Sequence, residues 1–236
     1  INKIARPTTA LANFTQKANI PLLTGPNTFI KALWHSYRSP AVRRAARDWA
    51  MESGVLVNKV EQRLSASSTK IGEARRIVTD ISGFTPAEFD NNIAAAMAGK
   101  IERDVLLKRF QSSFGPRREL AKRKLDRLGG EDVTPARAAI NIAEGTQFGG
   151  SPMDVSRVIN DPSIHMRVIT FLKGFAHQQS RIVKDAFTNS LTDFFKTGNP
   201  AALSPIGWFL VAFPAFGSIV QLGRQLYRAP LSDRTF

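Results

Sequence analysis

The sequence predicts an all-α protein, an irregular multi-helix bundle with a long C-terminal helix and an apolar helical hairpin. Three observations support this fold class. Alternating apolar and polar runs rich in β-branched residues, which are typical of half-buried strands, do not occur in the sequence. Ser-Pro or Thr-Pro steps, which supply a capping hydroxyl and a first-turn proline, recur along the chain. Glycines stand near the proposed helix ends, where a left-handed residue most easily closes a helix.

The helices follow in order from these signals. Capping hydroxyls with a following proline mark five starts, at Ser39-Pro40, Thr85-Pro86, Thr134-Pro135, Ser151-Pro152 and Ser204-Pro205. Together with the apolar spacing, they predict helices over 8–18, 27–37, 40–52, 54–66, 70–81, 86–112, 116–128, 135–144, 152–160, 163–196 and 205–227. The stretch "GTQFGGSP" at 145–152 predicts a joint between a basic helical part, 1–148, and an apolar long-helix and hairpin part, 149–236. One continuous domain is the alternative.

The charge balance favours an anionic partner. The chain has 236 residues and a net charge of +14, from 33 Lys and Arg against 19 Asp and Glu. Such an excess is typical of proteins that bind nucleic acid or an anionic membrane surface. A basic protein with an acidic partner subunit is the other reading. Since the chain begins with Ile rather than Met, we expect it to be a fragment of a longer polypeptide.

The sequence offers no catalytic or metal-binding constellation, so we expect a non-enzymatic protein without a cofactor. There is no Cys, which excludes disulfides and thiol nucleophiles. His165 and His177 are separated by three turns of one predicted helix, so they cannot share an ion. The sequence contains no GxSxG, no HExxH and no phosphate-binding loop.

Two basic stretches are candidates for binding nucleic acid. Cations cluster in "SPAVRRAARDWAMESG" and in "GPRRELAKRKLDRLGG". Cations on one helix face are typical of phosphate contact without base readout. The alternative is a solvated or subunit-facing helix surface. The candidate residues are Arg43, Arg44, Arg47, Arg117, Arg118, Lys122, Arg123, Lys124 and Arg127.

A polar patch interrupts the apolar stripe of the long helix predicted over 163–196. His177, Gln178 and Gln179 lie between Phe175 and Ile182. In a helical assembly such a patch fixes register, because its polar groups find partners in only one alignment. We therefore interpret the three residues as candidate register or oligomer contacts. The alternatives are a turn of exposed surface and a proton-sensing histidine.

The run "PIGWFLVAFPAFGSIVQL" at 205–222 contains no charge. At 1.5 Å per residue it would span about 27 Å, which is marginal for a bilayer core. We interpret it as a buried hairpin element kinked at Pro214, with insertion into a membrane as the alternative. The candidate contact residues are Trp208, Phe209, Phe213 and Phe216.

Three stretches resemble the polyvalent proteins, giant multidomain chains of tailed phages and mobile elements. They are "INKIARPTTALANFTQKANIPLLTGPNTFIKAL", "YRSPAVRRAARDWAMESGVLVNKVEQRL" and "MRVITFLKGFAHQQSRIVKDAF". The resemblance covers roughly 1–65 and 163–228. It implies a helical segment of a virion-carried protein that is delivered into the host with the genome. It implies no catalytic residue, because this region of the family has no assigned active site.

The expected function is therefore structural. We expect a segment of an internal, ejection-type virion protein that associates with copies of itself or with other virion proteins during assembly and genome delivery. One alternative is a sequence-neutral module that packs against encapsidated DNA. Another is an accessory domain of a giant virion-associated polymerase. Transient contact with a membrane is a further expectation for the apolar rear part.

Overall fold

The computed structural model describes residues 15–57, 84–146 and 164–228. These residues form a 3-10 segment (Thr15–Asn19), α1 (Ile20–Thr24), α2 (Pro26–Tyr37), α3 (Pro40–Glu52), α4 (Phe84–Ser112), α5 (Pro116–Leu128), α6 (Pro135–Thr146), α7 (Ile164–Thr197), a second 3-10 segment (Pro200–Leu203) and α8 (Ser204–Arg228). No strand occurs within these described ranges, and the all-α fold class is confirmed.

The bounds of α2 to α8 agree with the predicted helices to within two residues. The prediction over 8–18 is wrong in its described part, which forms the 3-10 segment, and α1 was not predicted. Pro21 stands in the first turn of this short helix and Gly25 ends it. The helices predicted over 70–81 and 152–160 lie outside the described residues. The same holds for the part of the predicted helix 54–66 that follows position 57, and for most of the predicted joint at 145–152.

Side-chain capping explains why two of the proline-marked helices begin where they do. The Ser39 hydroxyl accepts a hydrogen bond from the Val42 amide at 3.3 Å, and the Thr134 hydroxyl accepts one from the Arg137 amide at 3.2 Å. Each bond satisfies a backbone donor that has no partner within its own helix. The predicted Ser-Pro and Thr-Pro starts at these two helices therefore rest on the expected chemistry.

Helix α4 lies at the centre of the core and contacts α2, α3, α5 and α6. Its run of alanines, Ala94 to Ala96 and Ala98, is fully buried. Gly99 allows an especially close approach to α6, because a Cβ added there would lie 2.5 Å from the Ala138 carbonyl oxygen. Small side chains at this crossing let the two helix backbones touch, which larger residues would prevent.

Helices α7 and α8 pack together and against the front of the bundle. The Phe187 and Phe209 rings meet edge to face, with centroids 5.3 Å apart. Trp208 packs edge to face on Phe29 at 5.8 Å, and its indole N–H donates to the Ala18 carbonyl at 3.2 Å. Helices from both sides of the predicted joint are therefore in direct contact.

Candidate functional surfaces and buried ion pairs

The candidate nucleic-acid-binding arginines of α3 all lie on the surface. Arg43, Arg44 and Arg47 are exposed. Arg43 reaches Asp90 on α4 with an N–O distance of 3.4 Å, but its side chain is 62% exposed. An ion pair that is so open to water contributes little to stability. All three guanidinium groups remain accessible to a large anionic partner.

The six candidate cations of α5 are divided between two sides of the helix. Arg117, Arg118 and Lys122 are exposed. In contrast, Arg123 and Arg127 reach Asp193 on α7, while Lys124 is half-buried near Glu102 of α4. The structure therefore does not bring these six residues together on one surface. Of the six, Arg117, Arg118 and Lys122 are exposed and have no ion-pair role between the described helices. Arg127 is partly exposed, but it is engaged by Asp193.

Asp193 on α7 receives both inward-facing arginines. Its carboxylate accepts hydrogen bonds from Arg123 Nε at 2.8 Å and from both terminal nitrogens of Arg127, one of them at 3.0 Å. Burial alone would raise the pKa of Asp193, but the hydrogen bonds from Arg127 and Arg123 outweigh it and hold that pKa below its ordinary value. This ion pair joins α7 to α5 across the predicted joint.

Glu102 on α4 forms a second buried polar contact. Its side chain accepts a hydrogen bond from the Thr28 hydroxyl at 2.5 Å. Burial raises the pKa of Glu102, and the positive charge of Lys124 opposes that rise. Burial lowers the pKa of Lys124, and the negative charge of Glu102 is the main influence that opposes this fall. The two groups stabilise each other's charge in surroundings that would otherwise favour the neutral forms.

A cavity of about 110 Å³ lies beside these buried groups. Glu102, Lys124, Arg127 and Asp193 line its polar side, and leucines from α1, α4 and α5 line much of the remainder. At roughly 30 Å³ per molecule, the space holds only a few waters. The four charged groups neutralise one another, and they act chiefly as contacts between helices.

Another buried ion pair connects the 3-10 segment to α4. The buried Lys17 ammonium donates to the Asp90 carboxylate, which also accepts a hydrogen bond from the Tyr37 hydroxyl at 2.9 Å. Burial lowers the pKa of Lys17, and the hydrogen bond to Asp90 partly offsets this. Burial together with the Asp90 charge raises the pKa of Tyr37. Asp90 thereby links three elements at one end of the core.

The one described side chain of the polar patch in α7 has its partner within the same chain. Gln179 donates to the Asn19 side-chain oxygen at 2.7 Å and accepts from the Asn19 side-chain nitrogen at 3.0 Å. This reciprocal pair fixes the register of α7 against the 3-10 segment. The side chains of His177 and Gln178 lie outside the described residues.

The apolar run forms one continuous helix, α8, which continues through Pro214. Trp208 and Phe209 are half-buried against the bundle, whereas Leu210 and Val211 are exposed. The sequence predicted a buried element, but the described part of the run is only partly buried. The side chains of Phe213 and Phe216 lie outside the described residues. None of the helices in the described ranges has the length and hydropathy needed to cross a membrane.

Sequence reasoning missed Asp193, Glu102 and Lys17 as residues that join helices. A signal was present for Asp193, because it is an acid that lies among Leu191, Phe194 and Phe195 in an apolar stretch. A buried charge is costly unless it is paired, so such a position predicts a cationic partner. Within the described residues, no group of His, Asp or Glu side chains has the geometry of a metal site.

Comparison of the chain with protein-family models, with curated proteins and with solved structures gives no match. The fold and the arrangement of side chains are therefore the basis for a functional proposal.

Proposed function

We propose that this chain is a non-enzymatic, all-helical structural segment of an internal, ejection-type virion protein. In this role it associates with copies of itself and with other virion proteins inside the particle, and it is delivered to the host cell on infection. The observation that carries the proposal is the set of large apolar side chains left uncovered on the α7–α8 pair. The resemblance of three sequence stretches to polyvalent phage proteins supplies the context.

The α7–α8 pair carries both anchored and exposed residues. Asp193 is 1% exposed and holds α7 to α5, whereas Phe195, two residues further on, is 79% exposed. On α8, Trp208 packs against the bundle while Leu210 and Val211 are 64% and 73% exposed. Large apolar side chains that stay exposed on two packed helices favour a site of protein association. We call Leu191, Phe195, Leu210 and Val211 the uncovered apolar set.

A second copy of the chain is the partner that we propose for the uncovered apolar set. Exposed leucine, valine and phenylalanine side chains pack well against the same residue types, and closed symmetric dimers use one surface twice. The surrounding positions of α8 bear no charge between Ser204 and Gln221. On the α8 side of the set, two positively charged copies can therefore meet without cations in direct opposition.

Mass spectrometry of purified particles from the phage that encodes the chain tests the proposed role. We expect its peptides to be recovered from particles, and within a polypeptide much longer than this chain. A phage carrying Phe195→Ser with Val211→Ser is expected to incorporate less of that polypeptide, whereas Ile30→Ser, at an exposed position on α2, is expected to leave incorporation unchanged. Peptides found in infected cells but missing from particles would overturn the role.

A second candidate function is sequence-neutral binding to DNA, and the outward-facing cations favour it. Arg44, Arg47, Arg117, Arg118 and Lys122 are all exposed on a chain whose net charge is +14. Cations of this kind bind phosphates and release counterions, so the affinity falls with salt. Such a surface suits a segment that lies beside an encapsidated genome.

A salt series with duplex DNA tests this second function. Changing Arg117, Arg118 and Lys122 to Gln is expected to reduce the slope of log affinity against log salt by up to about 3, since each phosphate contact contributes about 0.9. The matched control removes three exposed cations from α7, namely Arg181, Lys184 and Lys196. Equal slopes for the wild type and the α5 variant would exclude α5 as the contact surface.

A further inference from the structure

The corner between α4 and α5 presents an isolated aromatic ring to solvent. Helix α4 ends at Ser112 and α5 begins at Pro116, so only three residues connect them. Phe114 lies in this connection and is 84% exposed. Gly115 follows with φ of 58°, a left-handed conformation that lets the chain reverse direction at once. The ring is therefore held at the apex of a short turn between two long helices.

Cations flank this ring on both sides in the sequence. Lys108 and Arg109 lie near the end of α4, and Arg117 and Arg118 lie in the first turn of α5. All four residues are exposed. Between positions 105 and 118 the chain contains no acidic residue. Each of these residues lies within about six positions of Phe114, which is less than two turns of helix.

The Arg118 guanidinium is held in place beside the corner. Its central carbon lies 4.8 Å from the centroid of the half-buried Phe110 ring, over the ring face. This cation–π contact orients the guanidinium without neutralising its charge. The corner therefore combines one free aromatic face with a cation that is already positioned.

We propose that this corner binds single-stranded nucleic acid, with the Phe114 ring stacking on an unpaired base while the flanking cations contact the backbone phosphates. Stacking between a base and an aromatic side chain is tolerant of sequence, because every base has a π face. A base within an intact duplex has both faces covered by its neighbours, so the ring finds no partner there. The inference rests on the second candidate function and specifies its nucleic-acid class.

The composition of the corner favours nucleic acid over a lipid surface. Binding to a membrane interface requires a substantial buried apolar area in addition to cations. Here a single ring stands among four cations, and the neighbouring Phe110 is already covered by Arg118. One exposed ring is sufficient to stack on one base, whereas it provides only a small area for insertion between lipids.

Fluorescence anisotropy of the full chain tests the proposal with two probes, an oligothymidine of about 20 nucleotides and a duplex of similar length. Phe114→Ala is expected to weaken binding of the oligothymidine about tenfold, which lies within the range of one lost stacking contact. Binding of the duplex is expected to stay within about twofold, because its contacts are to phosphates. Phe114→Trp retains a stacking face and is expected to preserve the affinity for the single strand.

Trp34→Ala is the matched control, since Trp34 is also an exposed aromatic residue, 62% exposed on α2, and belongs to neither proposed binding surface. It is expected to leave both affinities unchanged. The stacking proposal is overturned if Phe114→Ala has no effect on the oligothymidine, or if it weakens both probes equally. If the duplex is still bound in that case, the second candidate function is retained. If the wild-type chain binds neither probe, both the stacking proposal and the second candidate function are wrong. If Phe114→Ala loses binding to phosphatidylserine vesicles while its affinity for the oligothymidine is unchanged, the corner is a membrane contact instead.

Discussion

Asp193→Asn is expected to lower the free energy of unfolding, because the Asp193 carboxylate pairs with two arginines. In the wild type the Asp193 side chain is 2% exposed and accepts hydrogen bonds from both Arg123 and Arg127. Asparagine has nearly the same shape, but it carries no charge and presents an N–H donor to a guanidinium that can only donate. The substitution therefore leaves two cations facing a group that cannot compensate them.

The expected loss is about 2–3 kcal/mol in the free energy of unfolding. Breaking a fully buried ion pair costs about 3–5 kcal/mol. The Arg123 and Arg127 side chains are 22% and 35% exposed, so water recovers part of that loss. For a chain of this length, about 2–3 kcal/mol corresponds to a fall in Tm of roughly 5–10 °C.

The loss is expected to depend on pH. Because the folded-state pKa of Asp193 is held below its ordinary value, the carboxylate contributes stability above the unfolded-state pKa of about 3.9. That contribution is lost as the pH falls through the folded-state pKa. The difference in stability between wild type and variant is therefore expected to be full at pH 7 and to narrow below about pH 4.

Urea unfolding followed by circular dichroism at several pH values measures both effects. Asp185→Asn on the same helix is the control, because its pair with Arg181 is exposed and 3.8 Å long. It is expected to change the free energy of unfolding by less than about 0.5 kcal/mol. A loss at Asp193 no larger than that of the control, or one that persists in acid, would refute this reasoning.

Three further experiments test other contacts. Gly99→Ala is expected to cost about 1–3 kcal/mol in thermal unfolding, because the added methyl group meets the backbone of α6. Gly207→Ala is the control: it has open space around it and is expected to stabilise α8 by up to about 1 kcal/mol. Equal effects of the two substitutions would contradict the close crossing of α4 and α6. Lys124→Met alone is expected to destabilise the fold, because Glu102 loses the positive charge that opposes its desolvation. Lys124→Met combined with Glu102→Gln removes both charges and is expected to cost less. Additive losses in a double-mutant cycle would contradict the coupling of the two residues. Gln179→Leu is expected to cost about 1–3 kcal/mol in urea unfolding, because it leaves the side-chain oxygen of the buried Asn19 without its donor. An unchanged midpoint would contradict that contact.

The helices were predictable because their signals are local. Proline and hydroxyl residues at helix starts act on the backbone within a few positions, as the bond from Val42 to Ser39 shows. Helix α1 was missed although Pro21 and Gly25 mark its start and end, because five residues are too few to show a helical apolar period. The 3-10 segment before it has no such start signal. Their position depends on burial against distant helices, including the bond from Asn19 to Gln179, 160 residues away in the sequence.

The candidate nucleic-acid surface was only partly predictable for the same reason. Helical spacing shows that Arg118 and Lys122 share a face. The buried side of α5 is marked by Leu120, Leu125 and Leu128. Neither pattern shows that Arg123 and Arg127 reach Asp193, which lies 66 residues after Arg127. A long-range ion pair leaves no trace in the local pattern of α5, so the inward cations looked like surface cations.

Sedimentation velocity of the full chain tests the central claim, that the α7–α8 pair is an association surface. We expect the wild type to form a concentration-dependent oligomer, and the chain with Phe195→Ser and Val211→Ser to sediment as a monomer with unchanged helix content. Ile30→Ser, which alters a 59% exposed residue on α2, is expected to associate like the wild type. A wild-type chain that stays monomeric up to roughly 100 µM, where even weak specific dimers form, would contradict the account.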